Sequence, residues 1–381
     1  MVMDVAIFGA TCSPTQSQFV KNKNADEHAE VYPRAAKAIK ERHYVDDYLD
    51  SLDNPDEAVE LALEVAKVHA TGGFIIRNWI SNQRTVMERI GETNPTTGKR
   101  FVGEGGVERL LGIVWMPEED VYTFSLNYSD SVRALIEGEV DPTKRKMLRL
   151  VMSIYDPMEL VGAYVIHGKI LIQDVWRGRT DWDEKVPLKV LGRWKQWLTV
   201  LRKMDHVNIP RCYFPGYDPV SYRSLQLHIF VDASKQAFAA CAYFRIVDRE
   251  RVRCCLVASK TEVAPLKPFS IPRLESMAAV IGVRLRKTIV ENHSVQIQET
   301  FFHNDATTVL SLIKSDPRRY RPFVAFRISE ILTMSTVTEW RWVPTKLNVA
   351  DEATKWGRGP SFERDSRIMI GPLFLCDDQQ E

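Results

Sequence analysis

The chain reads as a multidomain protein of α+β and α/β character, and three observations predict this fold class. Helical and strand-like segments alternate along the whole sequence. The Pro- and Tyr-rich stretch IPRCYFPGYDPVSY, starting at Ile209, separates a helical middle from a C-terminal third that opens with three β-rich runs. A length of 381 residues is enough for two or three domains.

Residues 14–42 read as one helix, with Ser13 as its cap and Pro14 where a missing N–H costs nothing. YVDDYL follows as a short apolar strand. DEAVELALEVAKVHA has the spacing of an amphipathic helix closed by Gly72 and Gly73, and FIIRNWIS reads as a strand. LGIVWMPEEDVYTFSL predicts a hairpin turning at Pro117–Glu118–Glu119–Asp120. From Thr143 to about residue 210 the pattern is helical, with Lys and Arg outnumbering acids.

LQLHIFVDASKQAFAACAYFRI then supplies a strand, a break at Asp232 and a second strand, and RVRCCLVASK a third. IPRLESMAAVIGVRLRKTI is a helix with Leu274, Met277, Ala278, Ile281 and Leu285 on one face. QETFFHNDATTVLSLI is a strand turning straight into a helix, YRPFVAFRISEILTM another helix, and VTEWRWVP a last strand. The order βββ-α-β-α-α-β predicts a mixed sheet, with hairpins early and helical crossovers late. No internal repeat or low-complexity tract is present.

Hydrophobic residues make up 45% of the chain and charged residues 27%, a soluble globular profile. No apolar run approaches the ~20 residues of a membrane span. The opening MVMDVAIFGATCSP lacks a basic leader, so no signal peptide is expected. Cys12, Cys212, Cys241, Cys254, Cys255 and Cys376 are scattered without a CxxC pair. That spacing argues against a zinc module and a disulfide scaffold and for a reducing compartment. Lys and Arg total 51 against 50 Asp and Glu. A polyanion binder of this composition has to gather its positive charge on one face.

Four acids in the last block fall at the ends of elements. Asp232 ends a strand in IFVDAS, and Glu275 is read into the first turn of its helix after Pro272. Asp305 sits at the strand-to-helix junction in FFHNDATT, and Asp351 lies one turn into a helix that Asn348 can cap. Small neighbours (Ala233, Ala278, Ala279, Ala306, Ala350) allow close backbone approach. Four converging carboxylates repel one another unless cations intervene. Two Mg²⁺ ions ~4 Å apart relieve this and activate a water for in-line attack on a phosphodiester. For each acid taken singly, a helix N-terminal carboxylate stabilised by the macrodipole is the competing explanation. In HYVDDYLDS, the adjacent Asp46 and Asp47 pose the same problem, answered by a polar turn or by a cation.

IFVDAS, IPRLES, HNDATT and WVPTKLNVADEATKWG resemble, in order and spacing, the four acidic motifs of the ribonuclease H domain of retroelements. The resemblance covers residues 221–358 and implies that fold, cleavage of the RNA strand of an RNA–DNA hybrid, and metal binding at Asp232, Glu275, Asp305 and Asp351. YVDD resembles the catalytic turn of reverse transcriptases, which implies metal binding by Asp46, assistance by Asp47 and a nucleic-acid contact at Tyr44. FGATCSP, with Phe8 and Gly9, is similar to the motif supporting template and incoming nucleotide. LGIVWM resembles the start of the primer-gripping hairpin, and TKRKMLRLV the start of the thumb. The combined wording is that of BEL/Pao-type retrotransposon polyproteins. The implied organisation is an incomplete reverse-transcriptase palm at 1–130, a helical thumb/connection and linker at 131–220, a ribonuclease H-like mixed five-stranded sheet with helices at 221–358, and a tail at 359–381 toward an integrase.

Two departures qualify the likeness. The motif carrying the first polymerase aspartate normally lies well upstream of FGATCSP, so this chain alone is not expected to extend a primer. The sequence also stops after GPLFL, where such a polyprotein continues. Part of the region carries the label Pao retrotransposon peptidase, yet the Asp-Thr-Gly or Asp-Ser-Gly loop of an aspartic peptidase is absent. The alternative to a nuclease is a catalytically inactive relic that still binds nucleic acid.

The expected cofactor is Mg²⁺, two ions per nuclease site, with Mn²⁺ as a substitute. The expected partners are an RNA–DNA hybrid or other duplex and the rest of the pol polyprotein, with no membrane, in a cytoplasmic particle or the nucleus. His303 could orient a phosphate or a metal-bound water, but a structural strand-end histidine is the simpler reading. Lys144, Arg145, Lys146 and Arg149 could line a thumb surface against a duplex backbone or form a solvated helix face. Trp194 and Trp197, at helical spacing, read as packing, and Trp340 and Trp342 as cover for one sheet face.

Overall fold

In the computed structural model, which describes residues 11–93, 108–110, 113–124, 129–215, 224–248, 251–357 and 359–376, the first predicted helix is two. Helix α1 (Ser13–Glu27) and helix α2 (Pro33–Glu41) are separated at Pro33. A proline there cannot accept the continuing turn, having no N–H and a ring that crowds the carbonyl four residues back, but it starts a new helix well. Cys12, not Ser13, occupies the cap position of α1.

The chain divides into two compact units, Met1–Glu108 with Met116–Asp120, and Arg109–Trp115 with Val121–Glu381. In the first, α1 and α2 are followed by β1 (His43–Tyr44), β2 (Asp47–Tyr48), α3 (Pro55–Thr71) and α4 (Arg84–Thr93). Asn54 caps α3 by accepting from Glu57 N at 2.9 Å, and the helix stops at Gly72. Ala25, Ala35, Ile39, Leu61, Val65 and Val68 form the core of the α1–α3 cluster. FIIRNWIS is not a strand: residues 74–80 have no regular structure. Their β-forming side chains have no partner ladder among the described residues, and propensity without pairing does not make a strand. Trp79 instead packs edge-on against Tyr48, ring centroids 6.0 Å apart.

The chain continues with β3 (Glu108–Leu110), β4 (Ile113–Met116) and β5 (Val121–Thr123), the last two being the predicted hairpin. Four helices follow: α5 (Asp130–Glu137), α6 (Lys144–Ser153), α7 (Gly162–Arg177) and α8 (Leu188–Leu201). Between α6 and α7 the Asp156 carboxylate accepts from Leu160 N and Val161 N at 2.9 and 2.8 Å, which turns the chain. The expected linker starts as strand β6 (Ile209–Pro210), antiparallel to β5 in a four-stranded sheet ordered β3-β4-β5-β6.

Next come β7 (Ser224–Ala233), β8 (Ala237–Asp248), β9 (Arg251–Val263), α9 (Ile271–Asn292), β10 (Glu299–Asn304), α10 (Thr307–Ile313), α11 (Pro322–Met334), β11 (Trp340–Trp342), α12 (Asp351–Thr354) and α13 (Arg367–Ile370). The five strands β7–β11 form the predicted mixed sheet, ordered β11-β10-β7-β8-β9. β7, β8 and β9 pair antiparallel, while β10 runs parallel to β7 and β11.

Both faces of this sheet are covered, which is why β7 and β8 are apolar almost without alternation. Leu225, Leu227, Ile229 and Val231 share a core with Leu274, Ala278 and Ile281 of α9. Phe230, Ala239, Cys241 and Tyr243 share another with Tyr164, Trp194 and Trp197 of α7 and α8 and with Ile368, Met369 and Leu375. Trp197 stacks between Tyr164 and Trp194 at centroid distances of 4.7 and 4.8 Å, so the two tryptophans are core. Truncating such a side chain costs ~3–5 kcal/mol. The C-terminal residues are held by Tyr243 Oη donating to Ile368 O and Arg245 Nε to Leu375 O. Among the described residues no helix is long and apolar enough to cross a membrane.

Candidate active site

Strand parity places the first acid. Gln226, His228, Phe230 and Asp232 alternate along β7 toward the face opposite α9, and Asp232 lies across from Ala239 of β8. β10 runs beside β7 with His303 across from Phe230, and Asp305 follows directly after its last residue. Asp232 and Asp305 therefore stand at the same end of two neighbouring parallel strands. Asp351 arrives from α12, where it is the first helical residue, with Ala350 in the cap position. The expected cap, Asn348, does other work: its Nδ2 donates to Val231 O at 3.0 Å and to Asp305 Oδ1 at 3.3 Å. Glu275 lies in the second turn of α9 instead of the first, because that helix already starts at Ile271.

Electrostatics tie the four acids together. Burial pushes the Asp232 carboxyl up to about 7. Thr354 and Lys355 oppose that shift, while Asp305 and Asp351 add to it. Glu275 is also raised, by burial and then by Asp305. Asp305 thus acts on both Asp232 and Glu275, and Asp351 acts on Asp232.

The neighbours that answer these charges were not singled out from the sequence. Thr354 Oγ1 donates to Asp232 Oδ2, and Lys355 Nζ to Asp351 Oδ1. Asn304 is buried, accepting from Ala306 N at 2.8 Å, and holds the turn that delivers Asp305. Trp342 does not cover the sheet with Trp340: Trp340 is buried and stacks on Phe302, whereas Trp342 is exposed and donates to Asp305 O at 3.3 Å. The signal for Asn348, Thr354 and Lys355 lay in the quoted run NVADEATKW itself.

The donors are all carboxylate oxygens, the chemistry a hard divalent cation takes. Among the described residues no group of three or more His, Cys, Asp or Glu side chains is placed to hold one ion. Asp351 and Asp232 are instead engaged by Lys355 and Thr354. The donor set fits Mg²⁺ in kind, and it requires those two contacts to open.

The remaining candidates fall elsewhere. Phe8 and Gly9 lie outside the described residues. Asp46 and Asp47 are both exposed on a tight hairpin in which Tyr44 pairs with Asp47 and Val45 takes φ 52. Tyr44 is exposed beside them, and His43 below bonds His69 at 2.9 Å. Lys144 is buried, its ammonium 4.7 Å from the Trp176 ring centroid and 5.2 Å from that of Trp182. Arg145 is paired with Asp183, Lys146 Nζ donates to Asp141 O, and Arg149 is exposed. His303 is buried, stacked on Phe230 at 4.4 Å and bonded to His228 at 3.0 Å.

Residues 143–306 match the model of the Pao retrotransposon-like RNaseH-like domain. That stretch takes in Asp232, Glu275 and Asp305, and ends before Asp351. It also begins at the first residues of α6, so α6–α8, which cover the Phe230 face, fall within the same match as strands β7–β10. Its description is of an RNaseH-like domain, in keeping with the absence of a peptidase loop. No curated protein matches the chain. Similar solved structures include the N-terminal RNase H domain of Rv2228c from Mycobacterium tuberculosis, in a maltose-binding-protein fusion. It is 14% identical with a TM-score of 0.26, over 34% of this chain and 91% of that one. RNase H1 from the archaeon Halobacterium salinarum NRC-1 is 10% identical with a TM-score of 0.22, over 33% and 89%. At those values neither transfers a residue role.

Proposed function

We propose that the second unit is a divalent-metal-dependent ribonuclease H-type nuclease that hydrolyses the RNA strand of RNA–DNA hybrids. The observation that carries this reading is the convergence of Asp232, Asp305 and Asp351 from a strand, a strand-to-helix turn and a helix, tied by Asn348, with Asp305 also raising the Glu275 carboxyl. Asp232, Glu275, Asp305 and Asp351 are the residues to hold Mg²⁺. Bound ions of this kind supply charge neutralisation at a phosphodiester and a water made acidic enough to attack. The protein's part is to bring the carboxylates together, to keep Asp305 in place through Asn348, and to limit water around Asp232 by burial. The substrate duplex is met through phosphates, groove shape and 2′-hydroxyls, so affinity falls steeply with salt. The exposed Arg149 is available for such contacts, whereas Lys144 is already held by two indoles.

We also read the chain as part of a BEL/Pao-type pol polyprotein whose first unit is a reverse-transcriptase remnant, with Asp46 and Asp47 on its catalytic turn. Support for that half is the tight YVDD hairpin, which presents both carboxylates to solvent.

The test is a labelled RNA–DNA hybrid given to the purified chain with Mg²⁺, with Mn²⁺, and with EDTA. Cleavage of the RNA strand with either metal and none in EDTA is expected. Asp232→Asn or Asp305→Asn should lower the rate by ~10²-fold or more while leaving the circular dichroism unchanged. A second reading, a relic that binds nucleic acid without cutting it, is favoured by the engagement of Asp351 with Lys355. Salt-sensitive hybrid binding with no metal-dependent cleavage would decide for it.

A further inference from the structure

Lys355 is where the chain leaves its active-site helix. α12 ends at Thr354, and Lys355 takes extended angles, φ −127 and ψ 120. Its contact with Asp351 is a pairing of residues four apart across the last turn, where Lys355 N also bonds Asp351 O at 2.9 Å. The ammonium bonds Asp351 Oδ1 and also feels Asp232 and Asp305, carboxylates delivered by β7 and by the turn after β10. Of the other nearby acids, Glu352 faces Arg367 at 3.4 Å, while Glu275 on α9 is raised by burial and then by Asp305. One lysine therefore answers three carboxylates from three separate elements.

We propose that the Lys355 ammonium is a built-in counter-ion of this acid cluster, which competes with divalent metal for Asp351 and must swing away before metal is held. The proposal rests on the metal-dependent nuclease reading and adds a threshold to it. An ammonium and a divalent ion at one carboxylate repel each other, so metal is held best by the fraction of molecules in which Lys355 has released Asp351. Apparent metal affinity is reduced by that fraction. Half of the Lys355 side chain is solvent-exposed, so its release needs no rearrangement of the core. In the metal-free chain the same lysine lessens the repulsion among Asp232, Asp305 and Asp351.

The experiment is Mn²⁺ binding to the full chain without nucleic acid, followed by the loss of the free-ion electron paramagnetic resonance signal. Lys355→Met should bind Mn²⁺ about fivefold more tightly than the parent, the scale set by an exposed ion pair. Lys355→Gln, measured beside it, guards against a folding defect in either variant. Lys355→Arg keeps the charge and should stay near parental affinity. Added Mn²⁺ should also raise the melting temperature of Lys355→Met by more than that of the parent. Equal affinity in the parent and both neutral variants overturns the competition while leaving the metal site standing. Tighter binding by Lys355→Arg, matching Lys355→Met, overturns the role of charge. No Mn²⁺ bound by the parent or by any variant sinks the metal site and the proposal with it.

Discussion

Asn348 donates its side-chain amide to the backbone carbonyl of Val231 at 3.0 Å, tying the loop before α12 to the residue preceding Asp232. The same amide reaches Asp305 Oδ1 at 3.3 Å. Asn348 is fully buried, so one side chain fixes the end of β7, the turn after β10 and the approach of Asp351 at once. Such a connection sets geometry as well as stability.

Asn348→Ala leaves a buried carbonyl without this partner and should destabilise the chain by ~1–3 kcal/mol. Urea unfolding measures that loss. Because Asp305 is also released, metal-dependent cleavage should fall by ~10-fold or more at temperatures where the variant remains folded. A variant as active as the parent would mean that Asn348 serves packing alone.

Asp232 gives the metal-free chain an unusual pH response. Its carboxyl is raised to about 7, chiefly by burial, whereas an unfolded aspartate titrates near ~3.9. Between those values the folded chain keeps a proton that the unfolded chain has lost. Stability therefore falls as pH rises through this window, by up to ~1.4 kcal/mol per unit. In EDTA, Asp232→Asn should remove that part of the slope and be the more stable protein at pH 8. Mg²⁺ should narrow the difference by stabilising the parent. Melting curves at pH 5 and 8 that are parallel for the two proteins would contradict this.

The histidine pair across β7 and β10 has the opposite sign. His303 is lowered to about 3 by burial and then by Arg341, and His228 well below its ordinary value by burial, His303 and Arg245. Below pH ~6.5 the unfolded chain takes up protons that the folded chain refuses, so stability drops as pH falls from there toward 3. Replacing both residues with Phe keeps ring volume against Phe230 and removes the titration. The double variant should lose less melting temperature than the parent between pH 7 and 4.5.

Two glycines in helices should respond oppositely to alanine. At Gly282 of α9 a Cβ would sit 2.6 Å from Val231 Cγ1, so Gly282→Ala pushes the helix off β7. Overpacking of ~1–3 kcal/mol outweighs the ~1 kcal/mol gained in helix propensity. At Gly192 of α8 nothing lies within 4 Å, and Gly192→Ala should stabilise by up to ~1 kcal/mol. Urea midpoints moving in the same direction for both would refute the account of the α9–β7 contact.

Local patterns were readable wherever an element's own side chains decide it. The β7–β8 hairpin, the α9 stripe of Leu274, Ala278 and Ile281, and the junction that carries Asp305 all follow from periodicity and turn residues. The single helix expected over 14–42 misses the break at Pro33, although proline ends one helix and begins another by covalent geometry. FIIRNWIS misled because its composition suits a strand while a strand exists only with a partner.

The sequence by itself thus determined the order of elements in the five-stranded sheet region, the mixed character of that sheet and that Asp232, Asp305 and Asp351 lie at element ends. Only the tertiary structure decided that Thr354 engages Asp232, that Asn348 is a tie and not a cap, and that the α6–α8 helices cover the sheet's second face. The physical reason is range. Periodicity and capping act within a few residues, whereas the Thr354–Asp232 and Asn348–Val231 contacts join positions 122 and 117 apart and come into being only when the strands align.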